Sequence, residues 1–127
     1  MDAVDALLDA RKPVCGPAIE AEFARAGAIG ARHIFVGEEG YPPLLAEMAD
    51  PPPMLLLMGD AALAARPVVG IVGARNASAV GRGLAKRMAA ELGEAGFVVA
   101  SGLARGIDGA VNEGALASGT IGCVAGG

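Results

Sequence analysis

The chain has no tryptophan, one tyrosine and three phenylalanines in 127 residues. Its apolar share of 54% is mostly alanine, a profile that fits Ala-rich helices packed closely on a sheet. Charged residues reach only 19%, which excludes a disordered tail. The two cysteines, Cys15 and Cys123, stand far apart and form neither a CxxC nor a Cys/His pattern. They read as reduced, buried thiols of a cytosolic protein rather than a disulfide framework. The lone histidine, His33, has no partner in the sequence and reads as structural. No Ser/His/acid or Cys/His constellation is present to support nucleophilic catalysis. No apolar run approaches the ~20 residues that a membrane-crossing helix needs. The start of the chain, MDAVDALLDARK, carries acids where a secretory signal would carry bases.

The net charge of −4 argues against a nucleic-acid binder, but its distribution does not. Up to Ala65, four basic residues face ten acids, a net of −6. From Arg66 onward Arg66, Arg75, Arg82, Lys86, Arg87 and Arg105 face Glu91, Glu94, Asp108 and Glu113, a net of +2. The second part is locally basic, and the local field governs what it attracts.

Residues 1–32 read as an N-terminal helical segment, with a short helix over Asp2–Ala10 and a second from Pro17 to about Ala26, stopped by Gly27. His33–Val36 is a short edge strand and Gly37–Gly40 a turn. Tyr41-Pro42-Pro43 leads into a helical turn over Leu44–Met48. Pro51-Pro52-Pro53 makes a stiff connector, because proline neither continues a helix nor sits in a central strand. Met54–Met58 is an apolar strand, and Ala61–Ala65 one helical turn.

A regular alternation follows. Val68–Val72, Phe97–Ala100 and Thr120–Val124 are short apolar runs rich in β-branched residues. Between them lie helices over Ala79–Ala95 and Asp108–Ala117. The first carries Val80, Leu84, Met88 and Leu92 along one face, with Gly96 placed to end it. In the second, Asp108 is the candidate N-cap and Gly119 the stop. Continuous apolar strands separated by helices specify a parallel sheet covered on both faces. The expected fold is therefore α/β: a Rossmann-like βαβαβ run over residues 33–127, preceded by a short helical and extended segment. A doubly wound sheet usually has five or six strands, so three strands point to an incomplete sheet and a piece of a longer protein.

Ligands of an open parallel sheet bind beyond the carboxyl ends of its strands. Three segments reach that edge: Gly73–Ser78, Ser101–Asp108 and Ala125–Gly127. The first two each feed a helix N-terminus, where unpaired backbone N–H groups and the helix dipole favour an anion. Each also carries one arginine, Arg75 or Arg105, able to grip a phosphate bidentately. Gly73 and Gly102 permit close approach of the backbone. No G-x-G-x-x-G follows the first strand, Ser101 stands where an acid would hold a ribose, and no G-x-x-x-x-G-K-[ST] occurs. These absences argue against a dinucleotide cofactor and leave a mononucleotide, a phosphosugar or a nucleic-acid backbone.

Three stretches, YPPLLAEMADPPPMLLLMGD (41–60), VVGIVGARNASAVGRGLAKRMAAELGEAGFVVASGLARGIDGAVNEGAL (68–116) and TIGCVAGG (120–127), together resemble the DNA-processing family called DprA or Smf. SGLARGID is the most specific of the matching runs. The resemblance implies a cytosolic bacterial protein without catalytic activity or cofactor. Such a protein binds single-stranded DNA, protects it and hands it to the RecA recombinase in natural transformation, as a homodimer when full-length. By motif, Gly73, Ala74 and Arg75 match the family's G-[ST]-R-type DNA-contacting loop, with Ala74 in the hydroxyl position. Ser101, Gly102 and Arg105 match the second loop bordering the pocket. The family usually has Ala-His where this chain has Val111-Asn112. The alternative is a nucleotide or phosphosugar hydrolase of a related fold. Such enzymes carry P-G-G-x-G-T-x-x-E, which does not occur in these residues.

Overall fold

A computed structural model describes residues 16–125. The expected helix over Asp2–Ala10, Cys15, and the glycines Gly126 and Gly127 lie outside the described residues. The first described element is helix α1, Gly16–Ala28. It runs through Gly27, the expected stop, and the chain turns instead at Gly30, whose φ is +73°. Nothing crowds Gly27, and a glycine with helical dihedrals does not by itself end a helix; the left-handed residue does. On the exposed face of α1, Arg25 donates to the Glu22 carboxylate at 2.6 Å. That hydrogen bond, together with the guanidinium charge, holds the Glu22 carboxyl below its ordinary range.

Strand β1, Ala31–Phe35, pairs antiparallel with β2, Met54–Met58, Ala31 opposite Met58 and Phe35 opposite Met54. Between them lies a single helical turn, α2, at Pro43–Ala46, shorter than expected. Tyr41 is buried, and its hydroxyl donates to the Pro52 carbonyl at 2.6 Å, tying the turn to the proline connector. His33 stacks on Phe23 of α1 with ring centroids 4.1 Å apart, the structural role expected of it. A 3₁₀ turn covers Ala61–Ala65, as the sequence indicates, with the Asp60 carboxylate accepting from the Ala62 N–H.

The remainder is β3 (Val68–Gly70), α3 (Ala79–Glu94), β4 (Val98–Ser101), α4 (Ile107–Ala115) and β5 (Thr120–Gly122). The three strands form a parallel sheet in the order β3-β4-β5, with Val68 opposite Val98 and Val99 opposite Thr120. The expected βαβαβ unit is present; β3 and β5 each end two residues early, and β4 keeps its length but starts and ends one residue later, taking in Ser101. Val98 and Val99 point to opposite faces and both are fully buried, so the middle strand is covered on both sides.

The helix face that enters the core differs from the expected one except at Leu92, which packs against the core as read. Val80 is 83% exposed, and Leu84 and Met88 are about half exposed. The buried stripe of α3 is instead Ala85, Ala89 and Gly93; Ala85 and Ala89 pack with Val99, Ala110, Val111 and Ala115, and Gly93 lies against Ser118. The reason lies in the approach of α4. A Cβ on Gly114 would strike the Lys86 carbonyl oxygen, so the two helix backbones meet where only small side chains fit. Arg66 closes the far end of the layer, donating to the carbonyls of Ser118 at 3.1 Å and Gly96 at 3.2 Å, just beyond the two helices. A cation there complements both helix dipoles.

Candidate nucleic-acid interface

The carboxyl ends of β3, β4 and β5 open into residues 71–78, residues 102–106 and the stretch from Cys123. The sheet hydrogen bonding continues into these turns. The Ile71 N–H donates to the Ala100 carbonyl at 2.9 Å, and the Cys123 N–H to the Ser101 carbonyl at 2.8 Å. Ser101 is buried, and its hydroxyl donates to the Ile71 carbonyl at 2.6 Å. That hydroxyl is committed to the strand end. Cys123, expected to be buried, is exposed, because β5 ends one residue before it.

The two arginine loops interlock. The Ile107 N–H donates to the Ala74 carbonyl at 3.2 Å. Gly106 has φ +91° and ψ −127°, and a Cβ there would sit on the Ala74 carbonyl and within 2.5 Å of the Arg75 carbonyl oxygen. Only glycine adopts these dihedrals readily and also leaves room for the facing backbone. Gly73 fits against Ile107 in the same way, since a Cβ would come within 2.7 Å of the Ile107 Cβ. The second loop also holds Leu103 at φ +57°, an unusual conformation for a bulky residue, with its side chain laid over Gly122.

Asp108 is not the N-cap of α4. Gly106 holds that position, because the chain must pass under Ala74 and Arg75 before the helix can begin. Asp108 falls in the first turn, buried, and its carboxylate accepts from the Gly73 N–H at 3.1 Å. The helix N-termini are therefore less open than the sequence suggests. The Gly81 N–H of α3 is taken by the Ser78 hydroxyl at 3.0 Å, and the Ile107 N–H of α4 by Ala74. An anion at this edge depends on side chains.

The cations sort clearly. Arg66 serves the helix ends, Arg82 donates to the Ala77 carbonyl at 2.6 Å, and Lys86 pairs with Glu113 at 2.5 Å. Arg75 and Arg105 are exposed, and among the described residues neither makes a hydrogen bond or an ion pair. Their backbones are brought together because Gly106, next to Arg105, rests on the Arg75 carbonyl. Arg87 is also unpaired among the described residues, but it lies two turns inside α3. Two free guanidiniums on adjoining loops suit successive phosphates. Of the other residues singled out by sequence, Gly73 and Ala74 are exposed and Gly102 is half-buried. Among the described residues, no group of three or more His, Cys, Asp or Glu could hold a metal ion. A shallow groove of about 500 Å³ lies between α1 and the β1–β2 pair, lined by Ile19, Phe23, Phe35 and Met54 with Glu22 and His33, and by no residue of the two arginine loops.

The model of the family "DNA recombination-mediator protein A" matches residues 32–127. The chain belongs to this family. As a member of the DNA recombination-mediator protein A family, it is 39% identical over 101 residues to the DNA processing protein DprA of Bacillus subtilis. That match covers 77% of this chain and 34% of the relative, so the chain spans about a third of the length of the curated protein it matches. Among solved structures, DprA of Streptococcus pneumoniae superposes with a TM-score of 0.73 at 29% identity, over 87% of this chain and 38% of that one. The DprA of Helicobacter pylori, described for its single-stranded DNA binding mode, gives a TM-score of 0.64 at 30% identity, over 74% of this chain and 42% of that one.

Asn112, standing where the family usually has histidine, is buried and spans two elements. Its amide donates to the Asp108 carbonyl at 2.9 Å and its carbonyl accepts from the Thr120 hydroxyl at 2.7 Å. It joins α4 to β5 rather than facing solvent. Asn112→Ala is expected to lower unfolding stability by about 0.5–1.5 kcal/mol, read by urea denaturation, since it removes the side-chain link between α4 and β5 while the Thr120 hydroxyl keeps the Val99 carbonyl, 2.9 Å away, as its acceptor.

Proposed function

We propose that this chain binds single-stranded DNA by its phosphate backbone, with Arg75 and Arg105 as the gripping side chains. Gly73, Ala74, Ser101 and Gly102 shape the two loops that present them. The observation that carries the reading is the pair of exposed arginines on interlocked loops, without partners among the described residues, at the carboxyl edge of a parallel sheet. The absent dinucleotide fingerprint points the same edge away from a cofactor. In the full-length protein the role is to protect incoming DNA and hand it to RecA during natural transformation, as a cytoplasmic homodimer without catalytic activity. That part rests on family membership and on the single-stranded DNA binding of the Helicobacter pylori relative. No described helix is long and apolar enough to cross a membrane.

Phosphate contacts hold DNA without reading its sequence. Arg75→Ala is therefore expected to weaken binding about tenfold, and by the same factor for oligo-dT, oligo-dA and a mixed sequence, as read by fluorescence anisotropy. An affinity that does not change removes Arg75 from the interface, and a loss confined to one sequence contradicts backbone recognition.

A further inference from the structure

Asp108 is a buried carboxylate with no cation in ion-pair reach among the described residues, and it stands beside the two loops that present arginines. An unneutralised buried carboxylate is costly unless hydrogen bonds or dipoles compensate it. Here the compensation comes from the first turn of α4 and from the Gly73 N–H at 3.1 Å. That N–H belongs to the other loop, two residues before Arg75. On its opposite side the carboxylate abuts Gly102, where a Cβ would come within 2.7 Å of Oδ2. One side chain thus touches the start of both arginine loops. Among the described residues, the other hydrogen bond between the two loops is the backbone contact from the Ile107 N–H to the Ala74 carbonyl.

We infer that Asp108 is the positioning residue that fixes the Gly73–Arg75 loop relative to the Gly102–Arg105 loop, so that both guanidiniums face one strand. It does not touch the DNA; it acts through the Gly73 amide. This rests on the DNA-binding reading above, but its structural half is measurable without DNA. In Asp108→Ala the Gly73 amide loses its acceptor, and its hydrogen exchange is expected to rise about tenfold or more. In Asp108→Asn the side-chain carbonyl still accepts, and exchange stays near wild type. Gly102→Ala crowds the same carboxylate from the other side and is expected to raise Gly73 exchange as well, which serves if Asp108→Ala does not fold.

With labelled oligo-dT, Asp108→Ala is expected to lose about the tenfold that Arg75→Ala loses, and the double variant no more than either alone. Asp108→Asn is expected to keep binding within about threefold of wild type, well short of that tenfold loss. Multiplicative losses in the double variant, or unchanged Gly73 exchange in Asp108→Ala, overturn the inference. Should wild type not bind oligo-dT, the DNA reading fails, and the exchange result alone decides the positioning role.

Discussion

Gly106→Ala is expected to cost about 2–6 kcal/mol of folding stability, a large part of what a domain of this size has. Two penalties add. The backbone at φ +91° and ψ −127° is strained for any residue with a Cβ, at about 1–3 kcal/mol. The methyl group also lands on the Ala74 and Arg75 carbonyls, and relieving such overlap costs about 1–3 kcal/mol more. Urea unfolding followed by circular dichroism measures the sum. Gly83→Ala is the control: Gly83 lies inside α3 with nothing within 4 Å, so that change is expected to stabilise by about 0.5–1 kcal/mol. If the two variants unfold alike, the loops do not interlock as described.

Removing both arginines is expected to produce the second large effect, and on binding alone. Arg75→Ala/Arg105→Ala should weaken oligo-dT binding about 100-fold, two charge-assisted contacts at roughly tenfold each. Stability should stay within about 0.5 kcal/mol of wild type, because both side chains are exposed and, among the described residues, unpartnered. Anisotropy and urea unfolding on the same preparation separate the two. A comparable loss of stability would mean that the arginines brace the loops instead of gripping a ligand. The contrast with Arg66 is instructive: it holds two carbonyls, and its removal is a structural change.

The βαβαβ order was legible because strands buried on both faces read as apolar runs and glycines mark the turns between them. Gly96, at φ +93°, ends its helix as read, whereas α4 stops at Ala115 and Gly119, at φ +111°, turns the chain into β5. The Met54–Met58 strand and the Ala61–Ala65 turn match residue for residue. The inward face of α3 was not legible. Hydrophobic periodicity favours Val80, Leu84 and Met88, but the close approach of α4 at Gly114 selects Ala85, Ala89 and Gly93 instead. That selection depends on the distance between two helices, which no single helix encodes.

The candidate interface divides in the same way. Arg75 and Arg105 could be placed at the sheet edge because loop position follows from strand order. The roles of Gly106 and Asp108 could not, because they depend on one loop folding under the other. The acid near a helix start suggested an N-cap, a local device. Its acceptor is instead used on Gly73, 35 residues away in the chain. Leu103 at φ +57° carries no sequence signal at all, since leucine does not mark left-handed backbone.

If two arginines at this edge hold DNA phosphates, the affinity must fall with salt in proportion to the contacts they make. Each phosphate contact on a single strand contributes about 0.7 to the slope of log K against log salt. Oligo-dT titrated across a salt series should therefore show a steep decline for wild type. The slope of Arg75→Ala/Arg105→Ala should be shallower by about 1.4. Equal slopes for the two proteins, or no binding by wild type at low salt, would contradict the account.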